Sequence, residues 1–307
     1  MIARKQRGVA AVTAILVVAV AASAATYMLA QQSATLNQAV LIASRAQADL
    51  FAQAGLDWAR GVLAQDARSS VTDTLLEPWA QPMAGLPVER AVVGGSIADA
   101  QGRFNLNNLV TNGQRSEADV QILRRLLASL QLDPNLAFAV LDWVDADSDV
   151  TGASGAEDAF YLSLPRPYRA ANQPMVQVEE LYRIRGFDAA AVDKLRPHVS
   201  ALPGRTAVNA NTASSEVLAA IMPELSADEV LSLVQSRNAR PFKDKADLAG
   251  RAKKASAPAL DTAIDVKSSF FVVRVNVAQD DVFLGEEALV ARGANASTAI
   301  IWRHPLY

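Results

Sequence analysis

The chain of 307 residues contains no cysteine and only two histidines, His198 and His304. Disulfides, iron–sulfur ligation and cysteine-based zinc sites are therefore excluded. The histidines stand far apart, His198 within "Leu195-Arg-Pro-His-Val199" after an expected helix end, and neither has a nucleophile or metal-ligand setting around it. No nucleophile elbow, phosphate loop or dinucleotide fingerprint occurs, so catalysis has no visible foothold. Charge is absent over one long stretch: from Val9 to Ser44 there is no Asp, Glu, Lys or Arg. Internal repeats and low-complexity tracts are also missing, and a net charge of −3 does not invite nucleic acid.

What is present begins with three cations, Arg4, Lys5 and Arg7, followed by Gly8 and an apolar run from Val9 to Ala30. At about 1.5 Å per residue that run can cross a bilayer core of about 30 Å. The basic flank predicts a cytoplasmic N-terminus and export of the rest. Three processing routes compete. A signal peptidase would find an A-x-A-like site at Ala22-Ser23-Ala24, the helix could remain as an uncut anchor, or a cut between Gly8 and Val9 could keep the apolar helix on the mature chain. The sequence beyond favours the third. Helix-compatible residues continue without proline to Pro78, and Leu36, Val40, Ala43, Leu50, Ala54, Leu56, Ala59 and Leu63 recur at helical steps. The expectation is one helix over 9–77, membrane-spanning over 9–30 and amphipathic beyond, roughly 80 Å long at the standard rise.

With its leader glycine and "VAAVTAILVV" the chain resembles type IV pilins and the pseudopilins of type II secretion. The resemblance implies that prepilin peptidase cuts after Gly8 and that Val9 becomes the methylated first residue. Most members carry Glu at the fifth mature position, where this chain has Thr13. A bilayer carboxylate is costly unless paired, and its absence suits a subunit with no neighbour to pair with, although a small residue there is also simply tolerated in a membrane helix. Further along, "Asp99-Ala-Gln-Gly-Arg-Phe-Asn-Leu-Asn-Asn-Leu109", "Leu141-Asp-Trp-Val-Asp-Ala-Asp147", "Gly155-Ala-Glu-Asp158", "Tyr168-Arg-Ala-Ala-Asn172" and "Val178-Glu-Glu-Leu181" follow one another as in the minor pseudopilin K family. In the first of these, Gly102 would permit a tight turn, with Phe104, Leu106 and Leu109 facing a core. The family resemblance implies a single-pass inner-membrane protein with a periplasmic head at the tip of a short filament. Its implied partners are minor pseudopilins I and J, other pseudopilins, prepilin peptidase and the inner-membrane secretion platform. The implied task is to start filament assembly and support export of folded proteins across the outer membrane.

The one constellation with chemistry runs from Asp142 through Asp145, Asp147, Asp149, Gly152 and Gly155 to Glu157 and Asp158. Carboxylates on a glycine-bearing loop suit Ca²⁺, which takes six to eight oxygens in tolerant geometry. The run is not an EF-hand: Val150 replaces the sixth-position glycine and Glu157 falls one residue past the bidentate position. A solvated acidic loop capping a helix is the alternative, because an exposed loop screens the repulsion that a packed one cannot. The family resemblance implies calcium-bound loops and favours Asp145, Asp147, Glu157 and Asp158 over Asp142 and Asp149.

A second functional class comes from "Val178-Glu-Glu-Leu-Tyr-Arg-Ile-Arg-Gly-Phe-Asp188", "Val208-Asn-Ala-Asn-Thr-Ala213" and "Gln235-Ser-Arg-Asn-Ala-Arg-Pro-Phe-Lys-Asp244", which look like helix-hairpin-helix segments. DNA-binding versions present backbone N–H groups to phosphate on glycine-rich hairpins. Here Asp188 stands at one glycine position and "Met222-Pro-Glu-Leu-Ser226" has no glycine. That favours a helical packing unit with Arg237 and Arg240 as rim charges over a membrane-anchored DNA binder.

The organisation expected is an α+β, pilin-like fold: leader 1–8, helix 9–77, a core of 78–110 and 264–307 with an antiparallel sheet, and a large all-α insert over 111–263. Val88–Asp99 reads as a hairpin with the segment after it, helices are expected over 117–130, 135–144, 176–185, 189–196, 213–222 and 227–237, and three β-rich runs begin at Ser268, Val282 and Thr298.

Overall fold

A computed structural model describes residues 6–255 and 261–306; the leader cations Arg4 and Lys5, and 256–260 of the expected insert, lie outside these. Helix α1 (Gln6–Ser69) is one unbroken helix of 64 residues, roughly 95 Å at the standard rise. It ends eight residues before the expected boundary at residue 77. Past Ser69 the backbone groups turn to tertiary partners instead, with the Asp73 N–H donating to the Val266 carbonyl at 3.0 Å.

Strands β1 (Met83–Val88) and β2 (Ala91–Asp99) form an antiparallel hairpin. β2 thus takes its hairpin partner from the preceding segment, not the following one, which leaves the sheet. There β3 (Phe104–Asn105), β4 (Val110–Thr111) and β5 (Gln114–Arg115) are two-residue pieces. Phe104, Leu106 and Leu109 are buried as expected. The insert continues with α2 (Glu117–Ser129), α3 (Leu136–Val144), α4 (Asp158–Tyr161) and a 3-10 turn over Val178–Arg183 where a helix over 176–185 was expected. Next come α5 (Ala189–Leu195), β6 (Val199–Ser200), β7 (Val208–Asn209), α6 (Ser215–Ile221), α7 (Ala227–Ala239), α8 (Lys245–Arg251) and β8 (Ile264–Asp265). The chain closes with β9 (Phe270–Gln279), β10 (Val282–Arg292) and β11 (Thr298–Leu306).

The main sheet has the order β1-β2-β9-β10-β11, all antiparallel. One face packs on α1 through Ala48, Ala52, Leu56, Ala59 and Leu63 against Val93, Ile97, Phe271, Val273, Val275 and Val277. The packed stripe is therefore made largely of alanines, while Leu36, Val40 and Leu50 of the expected stripe point into solvent. Small residues win because they let helix and sheet approach closely; a Cβ on Gly55 would lie 2.8 Å from Val275 Cγ1. The insert has its own larger core, centred on Leu123, Leu126, Leu127, Val140, Leu141, Leu195 and Leu218.

Polar contacts fix the sheet's orientation along α1. The turns at Glu89 and Asp280 reach Gln47 and Ser44, at 3.1 Å and 2.9 Å. At the opposite end, Arg292 of β10 pairs with Asp66 of α1 at 2.8 Å and with Asp73 at 2.5 Å. Asp99, where β2 gives way to the insert, is buried. Its carboxylate accepts from Gln101 N, Asn209 Nδ2, Thr212 Oγ1 and Ser268 Oγ, all at 2.6–2.8 Å. The insert thus leaves and rejoins the sheet at the end farthest from Val9–Ala30.

Candidate metal centre

Helix α3 stops at Asp145, whose backbone is extended and whose N–H donates to the Leu141 carbonyl at 2.9 Å. Asp142 lies one turn earlier, fully buried, and accepts from the Thr151 N–H at 3.0 Å. That bond folds the acidic loop back over its own helix. Gly155 makes the fold possible, since a Cβ there would collide with the Asp142 carboxylate and the Thr151 backbone. Burial pushes the Asp142 carboxyl up, against the help of its Thr151 bonds.

The folded loop brings Asp145, Asp147 and Glu157 together, one carboxylate oxygen from each lying within 4.8 Å of the others. Glu157 is 3% exposed, yet neither of its oxygens has a hydrogen-bond partner; Asp145 Oδ1 is likewise buried and unpartnered. A buried carboxylate without donors is expensive. Burial and then the charges of Asp142, Asp145, Asp147 and Asp158 push Glu157 up to about 7. Burial, Asp147 and Asp142 push Asp145 up to about 6, opposed by Arg115. Both carboxyls thus behave as groups short of a positive charge.

The other expected ligands are placed differently. Asp158 opens α4 and turns away: its Oδ1 accepts from Ala170 N at 3.0 Å and its Oδ2 faces Arg169 at 3.4 Å. Asp142 serves Thr151, and Asp149 is exposed, its own N–H donating to Asp147 Oδ1 at 2.9 Å. Asn172 was not among the expected ligands. Its Nδ2 donates to the Asp147 carbonyl at 2.9 Å while its Oδ1 is buried without a partner. Its signal in the sequence was only that of a neutral oxygen donor two residues before a proline. The donor set is all oxygen, with no sulfur or imidazole, as a hard cation such as Ca²⁺ requires.

Aromatic packing holds the loop in place. Trp143 contacts Tyr161 edge-on at 5.4 Å and donates through Nε1 to Glu180 at 3.1 Å. Arg185 lies over Phe160 and donates to the Gly155 carbonyl at 3.0 Å.

The remaining singled-out residues resolve as follows. Gly8, Val9 and Thr13 lie exposed on α1, and the Thr13 hydroxyl donates back to its own helix, 3.1 Å from the Val9 carbonyl. Arg237 is not a rim charge. It is 5% exposed and donates to the Ala210 and Ala213 carbonyls at 2.8 Å and 2.6 Å, so that it ties the helix-hairpin-helix-like part together. His198 faces Ser214 Oγ at 3.0 Å, and burial lowers its pKa.

A long N-terminal helix, apolar and unpacked over its first half, with an antiparallel sheet laid on its second half, defines a pilin-type subunit whose helix is long and apolar enough to cross a membrane. Comparison with known proteins narrows this. Family models described as "Type II secretion system (T2SS), protein K" match residues 102–204 and 208–267. The type II secretion system protein K of Pseudomonas aeruginosa is 33% identical over 91% of this chain and 86% of its own length. That of Aeromonas hydrophila is 29% identical over 98% and 97%. The crystal structure of the GspK-GspI-GspJ complex from enterotoxigenic Escherichia coli superposes with a TM-score of 0.76 at 25% identity, covering 86% of this chain and 97% of that one. The chain belongs to the type II secretion system protein K family and is a minor pseudopilin.

Proposed function

We propose that this pseudopilin caps the tip of the secretion pseudopilus, starts its assembly with minor pseudopilins I and J, and supports export of folded proteins across the outer membrane. The observation that carries this is the position of the insert, which begins at Asp99 and returns at Phe270 on the end of the sheet farthest from the apolar helix. Helices in a shared filament core pack about 10 Å apart. A second subunit stacked above would meet the insert, whereas subunits below meet only the sheet and α1. In this reading prepilin peptidase cuts between Gly8 and Val9, Val9 is methylated, the head is periplasmic, and the secretion platform of the inner membrane supports growth. Ca²⁺ would be held by Asp145, Asp147 and Glu157, with Asn172 beside them, and would neutralise their mutual repulsion so that the loop and α3 form one rigid cap.

The lack of native cysteine makes the test direct: Gln173→Cys, exposed on the insert, gives a unique maleimide site. Label confined to one filament end is expected; label along the shaft rules out the tip role. Intact mass of protein from its native membrane should show a methylated chain starting at Val9. The DNA-binding reading loses Arg237 to a structural role, and its second hairpin exposes Glu224 and Asp228 where phosphate would approach.

A further inference from the structure

Between α4 and the 3-10 turn that starts at Val178, the insert runs through its longest stretch without helix or strand among the described residues, 162–177. The far end of this stretch is anchored. Met175 is buried, its N–H donates to Asn107 Oδ1 at 2.8 Å, and its carbonyl accepts from Asn107 Nδ2 at 2.9 Å. Near the start, the Leu164 and Tyr168 N–H groups reach back to the Tyr161 carbonyl at 3.4 and 3.5 Å, both long bonds. The Tyr168 ring lies 5.3 Å from that of Tyr161 and 6.4 Å from that of Trp143, and its hydroxyl donates to the Arg183 carbonyl at 2.6 Å.

The middle of the stretch is held from the acidic side. Asn172 Nδ2 donates to the Asp147 carbonyl at 2.9 Å, the Ala170 N–H donates to Asp158 Oδ1 at 3.0 Å, and Arg169 faces Asp158 Oδ2 at 3.4 Å. These acceptors stand on the loop whose Asp145, Asp147 and Glu157 oxygens lie within 4.8 Å of one another. Glu157 is 3% exposed and neither of its oxygens has a partner. Ionised carboxylates this close push apart unless a cation offsets them. The push moves Asp147 and the start of α4 at Asp158, and with them the acceptors used by Asn172, Ala170 and Arg169. Met175, held by Asn107 of a different segment, is outside its reach.

We propose that residues 163–174 form a calcium-controlled strap. With the cation held by Asp145, Asp147 and Glu157, the strap is closed and Tyr168 packs against Trp143 and Tyr161. Without it, the strap opens at Ala170 and Asn172 while Met175 stays in place. This is an order–disorder transition of one segment, set by charge at a site on another. The coupling is reciprocal, so a change that loosens the strap also weakens cation binding. The inference rests on the reading that the acidic loop takes Ca²⁺.

The test is hydrogen exchange read by mass spectrometry on the full-length protein in detergent, in Ca²⁺ and in EDTA, with limited trypsin digestion beside it. EDTA is expected to speed exchange over 163–174 at least about tenfold and to leave β9 and β10 unchanged. Trypsin should then cut after Arg169, which is exposed. Tyr168→Phe loses the tie to the Arg183 carbonyl, the one hydrogen bond of that hydroxyl among the described residues. It should speed strap exchange in Ca²⁺ and weaken calcium affinity, measured by calorimetry, about two- to tenfold. Calcium that binds and slows exchange over 145–157, yet leaves 163–174 exchanging as in EDTA, overturns the proposal. Unchanged affinity in a Tyr168→Phe protein whose strap exchanges faster overturns it too, as does an EDTA effect that spreads through α2 and α6. If calorimetry finds no calcium bound to the wild-type chain, the metal reading itself fails and takes the strap with it.

Discussion

If the acidic loop holds Ca²⁺ as proposed, removing the ion should make the stability of this protein fall as pH rises, opposite to the usual behaviour of a protein rich in paired carboxylates. The perturbation is chelation, and Glu157 sets the size. Its ordinary value is 4.5 and the fold pushes it up to about 7. A carboxyl raised in the folded state contributes full stability below about pH 4.5 and loses it as pH climbs through about 7, because ionisation is cheaper in the unfolded chain. At about 1.4 kcal/mol per pKa unit the loss is about 3 kcal/mol, or about 6–12 °C of melting temperature for a head of this size. Asp145 adds in the same direction over a lower range, ending near 6. Ca²⁺ held as proposed would replace the missing positive charge and bind only the folded loop, so its addition should restore the loss at pH 7.5 and do little at pH 4.5. Circular dichroism melts of the full-length protein in detergent, with and without EDTA, measure both limbs. Glu157→Gln is the control, since it should flatten the chelated profile and blunt the calcium response. Equal melting temperatures at pH 5 and 7.5 in EDTA, or no calcium effect at pH 7.5, would refute the reasoning.

Asp99→Ala leaves the Gln101 N–H and the Ser268 hydroxyl without their acceptor, while Asn209 and Thr212 keep second acceptors at the Asp73 and Asn209 carbonyls, and should cost about 2–4 kcal/mol; Asp99→Asn should recover little, because an amide NH₂ would face donors. Both are read by urea unfolding, and a loss under about 1 kcal/mol would mean that water reaches this junction. Arg237→Ala leaves two buried carbonyls unpaired and should cost about 2–4 kcal/mol without altering Arg240 or any DNA retention. Proteolysis at the α6–α7 hairpin should quicken in parallel.

The parts of this fold that were legible in the sequence are those set by periodicity and by unbroken composition. The uncharged run to Ser44, the β-rich runs after Ser268 and the buried trio Phe104, Leu106 and Leu109 all belong there. Choices made by distant partners were not legible. Leu50 looked like a core residue, yet the face of α1 that meets the sheet carries Ala48, Ala52 and Ala59 together with Leu56 and Leu63 of the expected stripe, while Leu50 points away from it. Arg237 looked like surface charge because its acceptors, the carbonyls of Ala210 and Ala213, carry no side-chain signature. In the acidic loop, composition marked six carboxylates, but only the backbone path decides that three converge while Asp158 is drawn off by the Ala170 N–H. Asn172 joins them through a chain reversal that no local spacing announces.

The junction at Asp99 has one more meaning. Asp99 and Phe271 are direct partners in neighbouring antiparallel strands, so in topological terms the entire insert occupies the place of a hairpin loop. Loop-closure entropy grows only with the logarithm of length, which is why so large a guest domain can sit in a turn without loosening the host sheet. Topologically the host without its guest is a plain pilin-like helix and sheet, and a short turn spliced between β2 and β9 would leave that host intact.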